Sequence, residues 1–516
     1  MKLQVASLND LLNEAQSQLE QQALPVYLRS QRWFGGKART IERVAMRDWQ
    51  CTREWAPEVY FVLLQVTYTD GGDEHYFLPL ALCSKSDAKT AEPVEVIANV
   101  SAPEGEFVIQ DALTHDAACE LLLSGIAAQK EWSTRSGRLR ALRTSEFATL
   151  RGPPDLPAPI ARSAIEQSNT NIRYGDRLLL KLFRRCESGP NPDFEIIRFL
   201  TEKTGFKQIP RLGGAWLYQS SSGQEATFAM LQGWVPNSGN AFEEASQYLS
   251  RAFESDSGEA NSLEESAEYW PRAELLGRRT ADLHVALASK SDDPVFAPEP
   301  LTPEDLEQLA SQTGDHAAEL LPQLQQRLAD FPTRVRRRVA DVQAAQLHLQ
   351  PLLTVPPLAS SITKVRCHGD YHLGQLLCTA GDYVVLDFEG EPARPLAERR
   401  AKHSPLKDVA GMVRSFHYAA YAALFQQPAH RHDRLEPIAD AWQRRAVAVF
   451  LDAYRATAAA AHFLPGDLGE FHALLNLFVL EKAIYELSYE LNNRPDWLVI
   501  PLCGLLSLLR PRAKPA

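Results

Sequence analysis

Near residue 236 the hydrophobic pattern of this 516-residue chain changes period. Before that point β-rich runs dominate. "VYFVLLQVTYT" (59–69) and "EHYFLPLALC" (74–83) are joined by "DGGD", and Asp-Gly or Gly-Gly between such runs signals a hairpin. Beyond it, apolar residues recur at helical spacing over 271–289, 405–425, 438–461, 466–491 and 499–509. A chain that pairs strands first and packs helices afterwards is α+β, built of lobes rather than alternating units. Its length also exceeds what one core usually serves. The boundaries fall at 1–125 (mostly β with helical ends), 126–235 (strand pairs and one helix) and 236–516 (largely helical).

The helix of the middle block is well marked. Asn191 can cap it, Pro192 suits its first turn, and Asp193 and Glu195 suit its dipole. A helix is also expected over 9–23. The acidic, polar stretch at 254–268 reads as a loop. "TRVRRRVADV" (333–342) reads as the solvated face of a helix.

A net charge of −11 argues against a generic nucleic-acid binder and against an anionic membrane surface as partner. A local cation cluster can still take a small anion. Seven irregularly spaced cysteines without a C-x-x-C read as reduced thiols and not as a zinc site. The first residues lack the apolar core of a signal peptide. The longest apolar run, 497–509, is too short to span a bilayer. These features set a cytoplasmic expectation.

The chemistry concentrates in "HGDYHLGQ" (368–375), followed by "VVLDFE" (384–389). An acid, an amide five positions later, and a second acid after a strand is the layout of a phosphotransferase site. Asp370 would orient the attacking hydroxyl and take its proton. Gln375 and Asp387 would hold divalent ions, with Glu389 as an extra carboxylate. His368 and His372 lack a third imidazole and read as structural, although His372 stays a candidate substrate contact.

These motifs, together with "LPVYLRSQRWFGGKAR", "EQSNTNIRYGDRLLLKLFRR", "LGRRTADLHVALA", "DFEGEPARPLAERR" and "EKAIYELSYELNNRPDWLVIPL", resemble the aminoglycoside-phosphotransferase-like branch of the protein-kinase fold. Within that branch they resemble the bacterial maltokinases, in order from residue 24 to residue 501. The resemblance implies a bilobal, protein-kinase-like fold. Its β-rich N-terminal lobe would carry an extra cap subdomain, and its C-terminal lobe would be mostly α-helical. It implies ATP and Mg²⁺ as cosubstrate and cofactor, and maltose as the acceptor, phosphorylated to maltose 1-phosphate. It also points to a trehalose-isomerising enzyme (trehalose synthase) as a partner to test.

By the same resemblance Lys181 pairs with the ATP phosphates and Glu195 positions Lys181. Ser168 and Thr170 of "QSNTN" stand in for a glycine-rich loop. Gln232 and Val235 of "MLQGWV" lie at the lobe hinge by adenine. Asp408 braces the catalytic loop from behind. Arg394, Tyr418, Tyr489 and Trp497 are candidate sugar contacts beside Asp370, His372 and Glu389. Two further readings stay open: a kinase of the same fold acting on glucosamine or an aminoglycoside, and a non-catalytic kinase-like scaffold.

Overall fold

The run "YFVLLQV" lacks the in-out alternation of a strand with one wet face, so both of its faces should be covered. The computed structural model, which describes residues 1–8, 11–52, 57–85, 96–162, 168–254, 268–355 and 361–509, shows how. Glu58–Tyr68 sits between Ile41–Thr52 and Asp73–Ser84 in an antiparallel sheet. Tyr60, Val62 and Leu64 turn to one side, against Leu19, Leu24, Leu28, Trp33 and Phe34. Phe61 turns to the other side, into a core shared with the next sheet. The sheet continues through Gly105–Asp111 and Val96–Ala102 to Lys2–Gln4, which pairs parallel.

Two compact units divide the chain: Met1–Glu202 with Pro210–Pro236, and Lys203–Ile209 with Asn237–Ala516. The change of hydrophobic period therefore falls where the chain passes from one unit to the other.

The first unit holds a second, wholly antiparallel sheet. Its order is Glu131–Ser133, Gly137–Arg143, Leu212–Ser220, Glu225–Gly233, Leu178–Phe183, Asn169–Tyr174, Ile160–Arg162. Stacked aromatics join the two sheets. Phe61 and Trp132 lie 5.4 Å apart, and Phe77 and Phe228 lie 4.1 Å apart. Pairs in such offset arrangements add to the gain from burial alone.

The helix expected over 9–23 runs further, as Leu11–Gln18, a π-type segment Leu19–Ala23, and Leu24–Ser30. Pro25 lacks the N–H that an uninterrupted α ladder needs, and the π segment just before it absorbs the mismatch. Asn191 does cap Pro192–Lys203, accepting from the amide of Asp193 at 2.8 Å.

The second unit is helical around one short hairpin, Leu376–Cys378 with Tyr383–Val385. Its helices include Trp270–Leu287, Leu406–Phe425, His432–Thr457, Leu468–Asn493 and Val499–Leu509. Two helices that the sequence did not delimit also appear: Ala241–Glu254, and Pro303–Gln326 with a Thr302/Asp305 capping box. The basic 333–342 stretch lies in the Thr333–Ala345 helix, whose Val335, Val339 and Val342 are buried. Nearly all of the acidic stretch, 255–267, lies outside the described residues. Among the described residues no helix is long and apolar enough to cross a membrane.

Candidate active site

The hairpin carries the site in the second unit. Gln375 precedes its first strand and Asp387 follows its second. Tyr383 bonds Glu244, and Arg279 grips Asp382 at 2.7 and 2.9 Å, which fastens the hairpin to two helices. The Gln375 amide then donates to Asp387 Oδ2 at 3.1 Å, leaving its own carbonyl oxygen for another partner. Carboxylate oxygens of Asp387 and Glu389 lie within 4.8 Å of one another. This hard-oxygen set of two carboxylates and an amide suits Mg²⁺.

Asp387 has φ +65°, a left-handed conformation that few residues other than glycine adopt. Strain of this kind gathers where a side chain must be aimed. Gly390 (φ +74°) and Gly369 (φ +86°) lie so close that a Cβ on Gly369 would meet the Gly390 Cα at 3.1 Å. The Asp370 loop and the "DFEG" segment therefore touch backbone to backbone.

Asp408 braces the Asp370 loop, as the resemblance implied. Its two oxygens accept the amides of His368 and Gly369 at 2.8 and 2.9 Å, and His284 Nε2 lies 3.2 Å away. Burial alone would push the Asp408 carboxyl up. The His284 hydrogen bond and the loop amides outweigh it and hold the group below its ordinary value. His368 donates from Nε2 to the Leu386 carbonyl at 2.7 Å, and its Nδ1 accepts from the Asp370 amide at 3.3 Å. These partners set its tautomer and give it a structural place. His372 Nδ1 accepts from the Gly374 amide at 3.1 Å and so caps the turn Leu373–Gln375. Burial holds its imidazole below its usual value.

Asp370 itself bonds Lys482 Nζ through Oδ1 at 3.1 Å, while its Oδ2 has no hydrogen-bond partner among the described residues. Burial would raise this carboxyl, but the Lys482 charge and the two imidazoles lower it further than burial raises it. Lys482 also bonds Glu391 at 2.6 Å. Glu391 in turn pairs with Arg394, which pairs with Glu398 and Glu481.

Sequence reasoning missed Lys482 and Glu391. One signal was present: Lys482, Glu486 and Glu490 recur every fourth position among the many apolar residues of the Leu468–Asn493 helix, and Glu486 and Glu490 are buried. Charges on a buried face are bonded or functional. Arg394, expected at the sugar, has its nitrogens committed to three carboxylates and is a brace instead. Glu391 and Glu398 flank it across a turn, and Glu481 reaches it from the Leu468–Asn493 helix.

Tyr418 points into a helix seam, where its hydroxyl donates to Glu490 at 3.1 Å. Tyr489 is 47% exposed. Arg494 lies 5.6 Å from the Tyr489 ring and 4.9 Å from the Trp497 ring, bringing the two aromatics together. Among the described residues no contact joins either of them to Asp370.

In the first unit, period-2 alternation buries Leu178, Leu180 and Leu182 of the Leu178–Phe183 strand and leaves Lys181 on the other face. Its ammonium bonds Asp193 at 2.9 Å. The sequence had assigned Glu195 to this place. Asp193, two residues earlier on the same helix, is a partner of Lys181 that the sequence reading did not name. Thr170 is buried and its hydroxyl accepts from Arg184 at 2.8 Å, so the sheet interior claims it in place of a phosphate. Ser168 is exposed at the foot of the Asn169–Tyr174 strand. Gln232 is buried near the end of Glu225–Gly233, its Oε1 without a hydrogen-bond partner among the described residues, and Val235 lies one residue before the unit boundary.

Residues 27–116 match the family described as Maltokinase N-terminal cap domain, and residues 232–390 match the Phosphotransferase enzyme family of the aminoglycoside-phosphotransferase type. A glucosamine kinase of Streptacidiphilus jiangxiensis is 26% identical over 360 residues, 68% of this chain and 73% of its own. A glucosamine kinase of Mycolicibacterium smegmatis is 27% identical over 426 residues, 81% of this chain and 94% of its own. A solved glucosamine kinase in complex with glucosamine, ADP and inorganic phosphate superposes with TM-score 0.64 at 19% identity, covering 96% of this chain and 99% of that one. The chain is a maltokinase-like protein with the kinase-like fold of the aminoglycoside phosphotransferases, a β-rich N-terminal region with a cap domain, and a helical C-terminal region.

Proposed function

We propose that this maltokinase-like phosphotransferase transfers the γ-phosphoryl group of ATP to a sugar hydroxyl, with maltose as acceptor and maltose 1-phosphate as product. The observation that carries the reading is the open Oδ2 of Asp370 on a loop held by Asp408. Oδ2 accepts the proton of the attacking hydroxyl while Lys482 holds Oδ1, so the carboxylate turns neither away nor neutral. Lys181, oriented by Asp193, takes the nucleotide phosphates. Gln375, Asp387 and Glu389 would hold Mg²⁺, which when bound neutralises phosphate charge. Tyr489 and Trp497 offer aromatic faces on which a sugar ring could stack.

The cap-domain match and the motif resemblance favour maltose. The names of the curated relatives favour a second acceptor, glucosamine. A scaffold role is disfavoured, because Lys181, Asp370, Gln375 and Asp387 are all present. A cytoplasmic location follows from the proposed use of ATP. A trehalose-isomerising enzyme as partner rests on the family resemblance alone. Incubation with ATP, Mg²⁺ and a sugar panel, with products identified by NMR, tests the reading. Phosphate on the anomeric oxygen of maltose is the expected result. Exclusive phosphorylation of glucosamine would replace maltose with the second acceptor, and ATP turnover with no sugar product would overturn both.

A further inference from the structure

Asp370 is met by a cation and not by a carboxylate. Lys482, on the Leu468–Asn493 helix, reaches its Oδ1 at 3.1 Å and Glu391 at 2.6 Å. Its side chain keeps 15% exposure and that of Asp370 keeps 24%, so both retain a face toward solvent where an acceptor would enter. The acids around them are already committed. Glu391 pairs with Lys482 and Arg394, Glu398 and Glu481 pair with Arg394, and Glu486 pairs with Arg414. Coulomb energy falls with distance, so the charge in direct contact with Asp370 dominates the field at its open oxygen.

We propose that Lys482 is a positioning and specificity residue: it orients Asp370 toward a neutral sugar hydroxyl and disfavours acceptors that carry an ammonium group. The inference rests on the phosphotransferase reading above and deepens it by naming the substrate class. A sugar hydroxyl delivered to Oδ2 brings the rest of its ring within about 5 Å of the Lys482 ammonium. At that separation, with an effective dielectric of about 20, like charges alone discriminate by roughly two-hundredfold; the negative charge of Asp370 offsets part of this and leaves roughly tenfold or more. A hydroxyl in place of the ammonium meets no such opposition and can accept from Lys482.

The test compares kcat/KM for maltose, glucose and glucosamine in the wild type, Lys482→Arg, Lys482→Gln and the double variant Lys482→Gln/Glu391→Gln. Glucose and glucosamine differ only at C2, which isolates the charge. The double variant avoids leaving Glu391 with excess charge. Neutral sugars should be preferred by the wild type and by Lys482→Arg. In both Gln-bearing proteins the preference over glucosamine should shrink by roughly tenfold or more. The ratio is the readout because general damage to the fold lowers all three rates together. Should a variant lose turnover, calorimetric affinities for the same sugars supply the ratio. A ratio within about threefold of wild type in both Gln-bearing proteins would overturn the filter, as would a wild type that favours glucosamine over glucose and maltose. A wild type that phosphorylates no sugar refutes the phosphotransferase reading itself, an outcome distinct from an active enzyme with an unchanged ratio.

Discussion

Asp370 has one oxygen tied and one open, and that asymmetry governs what its substitution should do. Asp370→Asn keeps the volume and the loop but removes the proton acceptor. Under the proposed mechanism it should lower kcat by ~10²–10⁴ while ATP affinity, measured by calorimetry, stays near wild type. The pH dependence follows from the sign of the Asp370 shift. Its carboxyl lies below the ordinary 3.8, so the charged form persists to lower pH in the folded protein than in the unfolded chain. The stabilisation it gives is complete above the ordinary value and is lost only as pH falls through the lowered one. The acid limb of kcat/KM should therefore lie below about pH 4. A limb near pH 6 would show a different group acting as base. Lys181→Ala should raise KM for ATP and lower kcat with little change in sugar affinity, a split that steady-state kinetics reads directly.

At the scale of elements, the Leu406–Phe425 helix does two things for the Asp370 loop. Asp408 holds two loop amides, and Gly411 lets the helix approach so closely that a Cβ there would lie 2.5 Å from the Tyr371 carbonyl oxygen. Backbone oxygen cannot yield as a flexible side chain can. Gly411→Ala should force helix and loop apart, destabilise the protein by ~1–3 kcal/mol and cost activity as well. Thermal melting and kcat on one preparation check this; unchanged activity would mean the loop does not depend on that contact. The hairpin is the second element that aims the site. Its Arg279–Asp382 and Tyr383–Glu244 ties lie outside every motif quoted for the resemblance except "LGRRTADLHVALA", and pattern reading assigned them nothing.

For the whole molecule, stability should be linked to nucleotide. A ligand that binds only the folded protein adds about 2.7 kcal/mol when present at 100 times its Kd. A non-hydrolysable ATP analogue with Mg²⁺ should therefore raise the melting temperature. Chelation should remove part of the rise, and Asp387→Asn should lose that metal-dependent part. An equal rise with and without metal would take Asp387 out of the proposed metal set. The sequence by itself determined the order of the architecture, because hydrophobic period is a local property: strands before about 236, helices after, and the caps and turns between them. It also determined the acid–amide–acid layout of Asp370, Gln375 and Asp387, since those residues sit in one short stretch whose spacing carries the chemistry; the bracing role of Asp408 came from the family resemblance. Only the tertiary structure decided which charges meet. The Lys181–Asp193 pair needs the Leu178–Phe183 strand beside the Pro192–Lys203 helix. The diversion of Arg394 to three carboxylates, the inward turn of Thr170 and the arrival of Lys482 at Asp370 from 112 positions away each depend on which elements pack together, and long-range packing leaves no local period to read.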